Sequence, residues 1–311
     1  MPKLRARLGR NTKKETAAAL LALTLCGCAS KSSVTLREYA HPQWGDVIRL
    51  ANGGVEAILA PGRGGRLMHY ARIGESNLLW TAADIDTGFG DVWGWRNWGG
   101  EKTWPWPQSG WPDGEWPPPR EWEQEAFEVG QIQDRFPAAP FIPARLPLGK
   151  EVILRGPKTE RRFLLSEHGT RLEITASTTG AEPFGVWSVT QIPMVEKIEV
   201  RRTAPRRILL RLPDSDNALA MSGDNTLDLA ATPGGTKGMM DADAFRVPTT
   251  QGVLVVRQLG HYAGDAYDDV CRAQVYKSDT RDGDAYVELE FAAPPPAEPA
   301  AGSLSVVLSL E

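Results

Sequence analysis

Between Val92 and Trp122 the chain reads VWGWRNWGGEKTWPWPQSGWPDGEWPPPREW, and this stretch limits the possible folds more than any other. It holds eight of the eleven tryptophans, at positions 93, 95, 98, 104, 106, 111, 116 and 122, with six prolines and five glycines among them. Proline removes backbone donors and glycine weakens helices and strands alike, so the stretch is expected to be neither a regular helix nor a central strand. Eight indoles in a solvated, mobile loop would expose a large apolar patch. The expectation is an ordered loop packed by its own rings, and long ordered loops usually carry function.

Around this stretch the sequence breaks into short apolar runs separated by turn residues. Val55–Leu59 precedes the turn Pro61-Gly62-Arg63-Gly64-Gly65, and Arg66–Ala71 follows it. Further runs are Val152–Leu154, Arg161–Leu165, Thr170–Thr175, Gly185–Gln191, Ile198–Val200, Arg207–Arg211, Gly252–Val256, Ala273–Tyr276, Tyr286–Phe291 and Ser303–Leu310. Twelve or more short strands, without an amphipathic helix after residue 28, predict an all-β sandwich or barrel. No fixed-period repeat points to a propeller. The glycine turn lacks a Gly-Lys-Ser/Thr ending and a following helix, so it is not a phosphate loop.

The N-terminus is organised differently. Lys3, Arg5, Arg7, Arg10, Lys13 and Lys14 precede an apolar run, Thr16–Leu25, that is too short to span a bilayer. Leu25-Cys26-Gly27-Cys28 then reads as a lipobox with Cys28 as the lipidation site. The expected organisation is a signal peptide over 1–27, a polar tether over 28–40 and one β domain over 41–311. Ala29 and Ser30, with no aspartate after the cysteine, favour sorting to an outer membrane, with the domain facing the periplasm. Residues 1–27 hold six Lys/Arg and one acidic residue against a chain total of −4, which leaves −9 on the remainder. So acidic a domain is a poor nucleic-acid binder. With Cys28 lipidated, Cys271 stands alone, so neither a disulfide framework nor a cysteine metal site is expected.

Two groups of residues could carry chemistry. Alternation along Tyr286–Phe291 puts Glu288 and Glu290 on one strand face and Val287, Leu289 and Phe291 on the other. The two carboxylates then lie roughly 6–7 Å apart, two strand rises of ~3.3 Å. On a solvated face they are ordinary surface charges. On a pocket floor, burial would raise a pKa toward the range useful for a base. The second group belongs to the tryptophan loop and its approach: Arg66, Glu101, Lys102, Gln108, Trp104, Trp106, Trp111 and Trp116. Flat indoles beside charged and amide groups suit a sugar, whose C–H faces stack while its hydroxyls bond directionally. The competing reading makes the indoles a small core that holds the loop shut. Histidines 41, 69, 168 and 261 have no metal-ligand spacing, and no metal or other cofactor is expected. No G-x-S-x-G motif supports serine-hydrolase chemistry.

The motifs WGGEKTWPWPQSGWP, WPPP, GVWSVTQIP and AYVELEF, the last before a proline-rich loop and a final strand, resemble a bacterial family of unknown function related to galactose mutarotase (aldose 1-epimerase). The resemblance runs from about Trp44 to Leu310. It implies a galactose-mutarotase-like supersandwich of two large antiparallel sheets with a sugar site on a concave face. Mutarotases use a glutamate base on a late strand, a role Glu288 or Glu290 could match, and a histidine acid on a central strand. Here the central strand Trp187-Ser188-Val189-Thr190-Gln191 has no histidine, so His69 or His261 would have to serve from elsewhere.

Three functions follow as expectations. The first is a monomeric, membrane-anchored extracytoplasmic lipoprotein that binds a sugar or glycan and meets the membrane only through its lipid. The second is an aldose 1-epimerase or other sugar-active enzyme with a non-standard acid. The third is a structural envelope protein.

Overall fold

The structure, a computed structural model, describes residues 32–84, 95–112, 116–137, 146–180, 184–201, 208–209, 219–222, 225–260, 273–279, 285–295 and 302–311. The chain forms β1 (Thr35–His41), β2 (Gly45–Ala51), β3 (Val55–Ala60), β4 (Arg66–Arg72), β5 (Glu101–Trp106), β6 (Glu128–Arg135) and β7 (Gly149–Arg155). It continues through β8 (Thr159–Ser166), β9 (Leu172–Thr178), β10 (Gly185–Pro193), β11 (Lys197–Arg201), β12 (Ile208–Leu209) and β13 (Thr226–Asp228). The last strands are β14 (Thr236–Met240), β15 (Ala244–Thr249), β16 (Gly252–Leu259), β17 (Ala273–Lys277), β18 (Tyr286–Ala293) and β19 (Ser303–Leu310). One four-residue helix, α1, spans Arg120–Glu123. Among the described residues no helix is long and apolar enough to cross a membrane.

The strands form two antiparallel sheets. The ten-stranded sheet has the order β1-β2-β3-β4-β5-β10-β18-β17-β14-β12, and the nine-stranded sheet β13-β11-β15-β16-β19-β9-β8-β7-β6. Their facing sides bury one continuous core, with Val186, Ile192, Val287, Leu289 and Phe291 from the first sheet meeting Phe163, Leu165, Ile174, Val256 and Leu308 from the second. Each of those segments alternates at period two, which is how local sequence commits one face to the interior. The molecule is an all-β sandwich of two large sheets, one of the two architectures the strand pattern predicts and the one the family resemblance implies.

Two expectations are corrected. The segment 28–40 is not a tether throughout, because Thr35–His41 pairs along its whole length with β2. Its half-exposed, edge-strand character hides the usual alternation. The tryptophan stretch, expected to avoid central strands, supplies β5 between β4 and β10. β5 pairs with β10 from Glu101 to Trp106 but touches β4 only at the Leu67–Glu101 pair. Pro105 therefore sits where the strand is flanked by β10 alone, and its missing donor interrupts no two-sided ladder. Gly100 lets the strand start, since its φ is +76° and a Cβ there would lie 2.3 Å from the Leu67 carbonyl oxygen.

Candidate functional site

The outer face of the ten-stranded sheet, turned away from the main core, is where the sequence candidates converge. β10 and β18 send Val186, Ile192, Val287, Leu289 and Phe291 inward. Trp187, Val189 and Ala292 belong to a separate apolar cluster with Trp104 and Trp111. Strand register aligns this outer face in three rungs. Trp104 lies opposite Trp187, which lies opposite Ala292. Lys102, Val189, Glu290 and Gln274 form the next rung. Gln191, Glu288, Tyr276 and Lys237 form the third.

The charges on these rungs are buried and paired. Glu290 is 0 % exposed, Glu288 5 % and Lys102 1 %, so the glutamates are not solvated surface charges. Lys102 Nζ lies 3.8 Å from Glu288 Oε1 and 3.9 Å from Glu123 Oε1, donates to Asn97 Oδ1 at 3.2 Å, and stands 4.6 Å over the Trp104 ring. Gln191 Nε2 donates to Glu288 Oε1 at 2.8 Å. Lys237 Nζ lies 2.9 Å from Glu290 Oε2 and 4.5 Å over the Trp187 ring.

Burial acts in opposite directions on acid and base. Loss of water raises the Glu290 carboxyl to about 7, with Glu288 pushing the same way and Lys237 and the Trp187 indole pulling it down. The same loss lowers the Lys102 ammonium to about 8, against the attraction of Glu123, Glu288 and Glu290. A carboxyl and an amine that both titrate near neutrality on one face are suited to proton exchange or to hydrogen bonds of either sense.

Several polar atoms of this face have no directed partner. Trp104 Nε1 and Gln191 Oε1 lack a hydrogen bond among the described residues. Buried polar groups are rarely left in that state without a water or ligand to meet them.

The predicted site residues divide sharply. Lys102, Glu288, Glu290 and Trp104 lie on the same outer face. Trp106 is half-buried and packs edge-on against Trp187 at 5.0 Å. Trp111 is 3 % exposed, bonds its Nε1 to the Pro105 carbonyl at 2.9 Å and stands 6.1 Å from both Trp104 and Trp187. Trp116 is 44 % exposed and lies 4.7 Å from Trp95 and 5.1 Å from Trp104. The loop is thus packed by its own rings, with Trp116 presented at the surface. Gln108 sits in a turn beyond β5, where its carbonyl accepts the Trp111 backbone N–H.

Other candidates lie elsewhere. Glu101 faces the sandwich interior, where it pairs with Arg161 of β8 and accepts from Ser188 Oγ at 3.0 Å, so it binds sheet to sheet rather than sugar. Arg66 is fully buried, paired with Glu123, donating to the Gly99 carbonyl at 2.8 Å and lying 5.3 Å over Trp98. Its partner Glu123 also accepts the Trp95 Nε1 at 2.7 Å, so Arg66 anchors the loop instead of a ligand. Gly64 makes this anchor possible, because a Cβ there would lie 1.9 Å from the Glu123 carbonyl oxygen. His69 lies 3.7 Å from Glu56, and burial lowers its pKa. It stands on β4, three strands from Glu290 on β18, or about 14 Å at ~4.8 Å per strand. That separation removes it as partner to a Glu290 base. His261 and Cys28 lie outside the described residues.

Sequence reasoning missed Gln191, Trp187 and Lys237 as site residues. Alternation along β10 could have placed the first two beside Glu290. Lys237 carried no signal, since β14 reads Thr-Lys-Gly-Met-Met and was not read as a strand. Among the described residues no cluster of His, Cys, Asp and Glu is placed to hold a metal ion.

No protein-family model matches the sequence, and no curated protein is significantly similar to it. Solved structures are similar. A candidate mutarotase (YeaD) from Salmonella typhimurium matches with a TM-score of 0.59 at 12 % identity, over 94 % of this chain and 98 % of that one. A candidate aldose 1-epimerase from Escherichia coli K12 matches at 0.52 and 15 % identity, over 89 % and 99 % of the two chains. A galactose mutarotase-like protein from Clostridium acetobutylicum matches at 0.51 and 11 % identity, over 89 % and 98 %. At these identities the likeness speaks to architecture, and the architecture of this chain is the galactose-mutarotase-like supersandwich.

Proposed function

We propose that this protein binds a carbohydrate on the outer face of its ten-stranded sheet, as a lipoprotein anchored through Cys28 and facing the periplasm. The observation that carries the reading is the open hydrogen-bonding capacity of Trp104 Nε1 and Gln191 Oε1 beside the buried Glu288 and Glu290. These atoms lie near the buried Lys102 ammonium and the half-buried Lys237 ammonium, beside indole rings. A pyranose offers hydroxyls that donate and accept and C–H faces that stack, which matches that mixture. The mutarotase-like fold is in keeping with a sugar ligand, although fold alone does not assign one.

A second reading, aldose 1-epimerase chemistry, draws on Glu290. A carboxylate that titrates at about 7 can take the anomeric hydroxyl proton as the ring opens. The ring oxygen must gain a proton in the same event, and with His69 distant, the ammoniums of Lys237 and Lys102 are the acids this face offers.

Titration calorimetry of the full-length, detergent-solubilised protein against glucose, galactose and N-acetylglucosamine and their oligomers tests the first reading; silence with all of them overturns it. Following anomer interconversion by NMR tests the second. An unchanged rate in Glu290→Gln would remove this glutamate as the base.

A further inference from the structure

Against Trp111 lies a cavity of ≈ 320 Å³ between the end of the tryptophan loop and the β7–β8 connection. Its walls are Trp111, Trp122, Phe184 and Pro112, and Lys158 and Glu121 supply its charged groups. Trp122 is 2 % exposed and stands edge-on to Phe184 at 6.1 Å, so the walls are rigid aromatic planes rather than adaptable aliphatic chains. Lys158 comes from the β7–β8 connection, and Glu121 from α1, so two elements far apart in sequence place one ammonium and one carboxylate at this cavity. The volume lies at the lower end of ordinary small-ligand sites, and few polar groups among aromatic walls is the composition of such sites.

The cavity is not isolated from the outer face. Trp111 forms part of its wall and also packs 6.1 Å from Trp104 and from Trp187, which stand beside the Lys102 and Lys237 ammoniums. Trp116, the exposed indole, lies 6.2 Å from Trp111 and 5.1 Å from Trp104. Ring contacts therefore run from the charged rungs through the buried Trp104 and Trp111 to the cavity, with Trp116 as the exposed ring beside both. A single sugar ring in contact with Glu290 would leave that path and the cavity unused.

We propose that the cavity lined by Trp111, Trp122, Phe184, Lys158 and Glu121 is a second saccharide subsite, and that the ligand is an oligosaccharide spanning both places rather than a free monosaccharide. This rests on the carbohydrate-binding reading above. One sugar residue meets the Glu288/Glu290 face, the chain crosses Trp116, and a further residue packs against the half-buried Phe184 ring with its hydroxyls toward Lys158 and Glu121.

Calorimetry of the full-length protein with glucose, galactose and N-acetylglucosamine, each against its β-1,4- or α-1,4-linked di-, tri- and tetrasaccharides, tests it. The expected result is a Kd at least about tenfold lower for the trimer than for the monomer in one series. Phe184→Ala should abolish that gain and leave the monosaccharide Kd unchanged. Lys158→Ala, at a half-buried position, should reduce the gain and gives a second reading should Phe184→Ala fold poorly. Monosaccharide binding with no gain on lengthening, or a gain that both variants retain, overturns the subsite and leaves the carbohydrate-binding reading standing. Silence with every sugar overturns both.

Discussion

Glu101 and Lys102 are consecutive in sequence and serve opposite faces of the same sheet. Glu101 turns into the sandwich and pairs with Arg161 of the nine-stranded sheet, while Lys102 turns outward toward Glu288. One bond of chain separates a residue that holds two sheets together from one that belongs to the candidate site.

Glu101→Gln should therefore act on stability. It leaves the Arg161 guanidinium, 0 % exposed, without its counter-charge. Stranding one partner of a buried pair costs about 3–5 kcal/mol. Urea denaturation should register a loss of that order, and a loss below about 1 kcal/mol would contradict the inter-sheet role.

Lys102→Met should act on both stability and binding. It leaves the Glu288 carboxylate, 5 % exposed, with Gln191 alone, whereas Glu123 retains Arg66 and Trp95. Stranding one partner of a buried pair costs about 3–5 kcal/mol, and the 3.8 Å separation from Glu288 puts this loss at the low end. Sugar affinity of the folded variant should fall at least about tenfold, one hydrogen bond to a charged group. Intact affinity in a folded variant would take Lys102 out of the site.

Glu290 gives a pH dependence with a definite sign. Its folded pKa, about 7, lies above the ordinary carboxyl value of 4.5, so between these pH values the folded state holds a proton the unfolded state has lost. Its effect is that stability falls as pH rises from about 4.5 to about 7 and then levels off. The drop is on the order of 2–3 kcal/mol, from 1.36 kcal/mol per unit reduced for its coupling to Glu288 and Lys237. Glu290→Gln should flatten that segment of the profile. A variant whose profile keeps the same slope would assign the titration to another group.

Trp111 and Trp116 should separate packing from binding. Trp111→Ala empties a buried ring site and should cost about 3–5 kcal/mol. Trp116 is 44 % exposed, so Trp116→Ala should cost about 1 kcal/mol, most of it from its ring contacts, and weaken oligosaccharide binding more than stability. Equal stability losses in the two variants would place Trp116 in the core after all.

His69→Gln should leave sugar binding and any anomer interconversion unchanged. Its contact is with Glu56, which already bonds Arg49 at 2.6 Å and the Gly74 N–H at 3.2 Å. A rate that falls with this substitution would bring His69 back as an acid.

How much of this was legible beforehand follows the range of the interactions. Period-two alternation is local, so the segments around Phe163, Val287 and Leu308 could be read as strands with one committed face. Glu288 and Glu290 could be put side by side for the same reason. β1, with its half-exposed pattern, and β14, with a glycine at its centre, gave no such signal. β5 was misread because proline and glycine argue against a central strand, and only the neighbouring strands reveal that β4 stops short beside Pro105.

The sequence by itself determined an all-β chain, a self-packed tryptophan loop and two glutamates on one strand face, because each depends on residues a few positions apart. Tertiary structure decided that both faces of β18 are buried and that Lys237 reaches Glu290. It also decided that Arg66 and Glu101 are claimed by Glu123 and Arg161. Those assignments join residues 53 to 60 positions apart, and no local pattern encodes which face of a sheet a distant charge will meet.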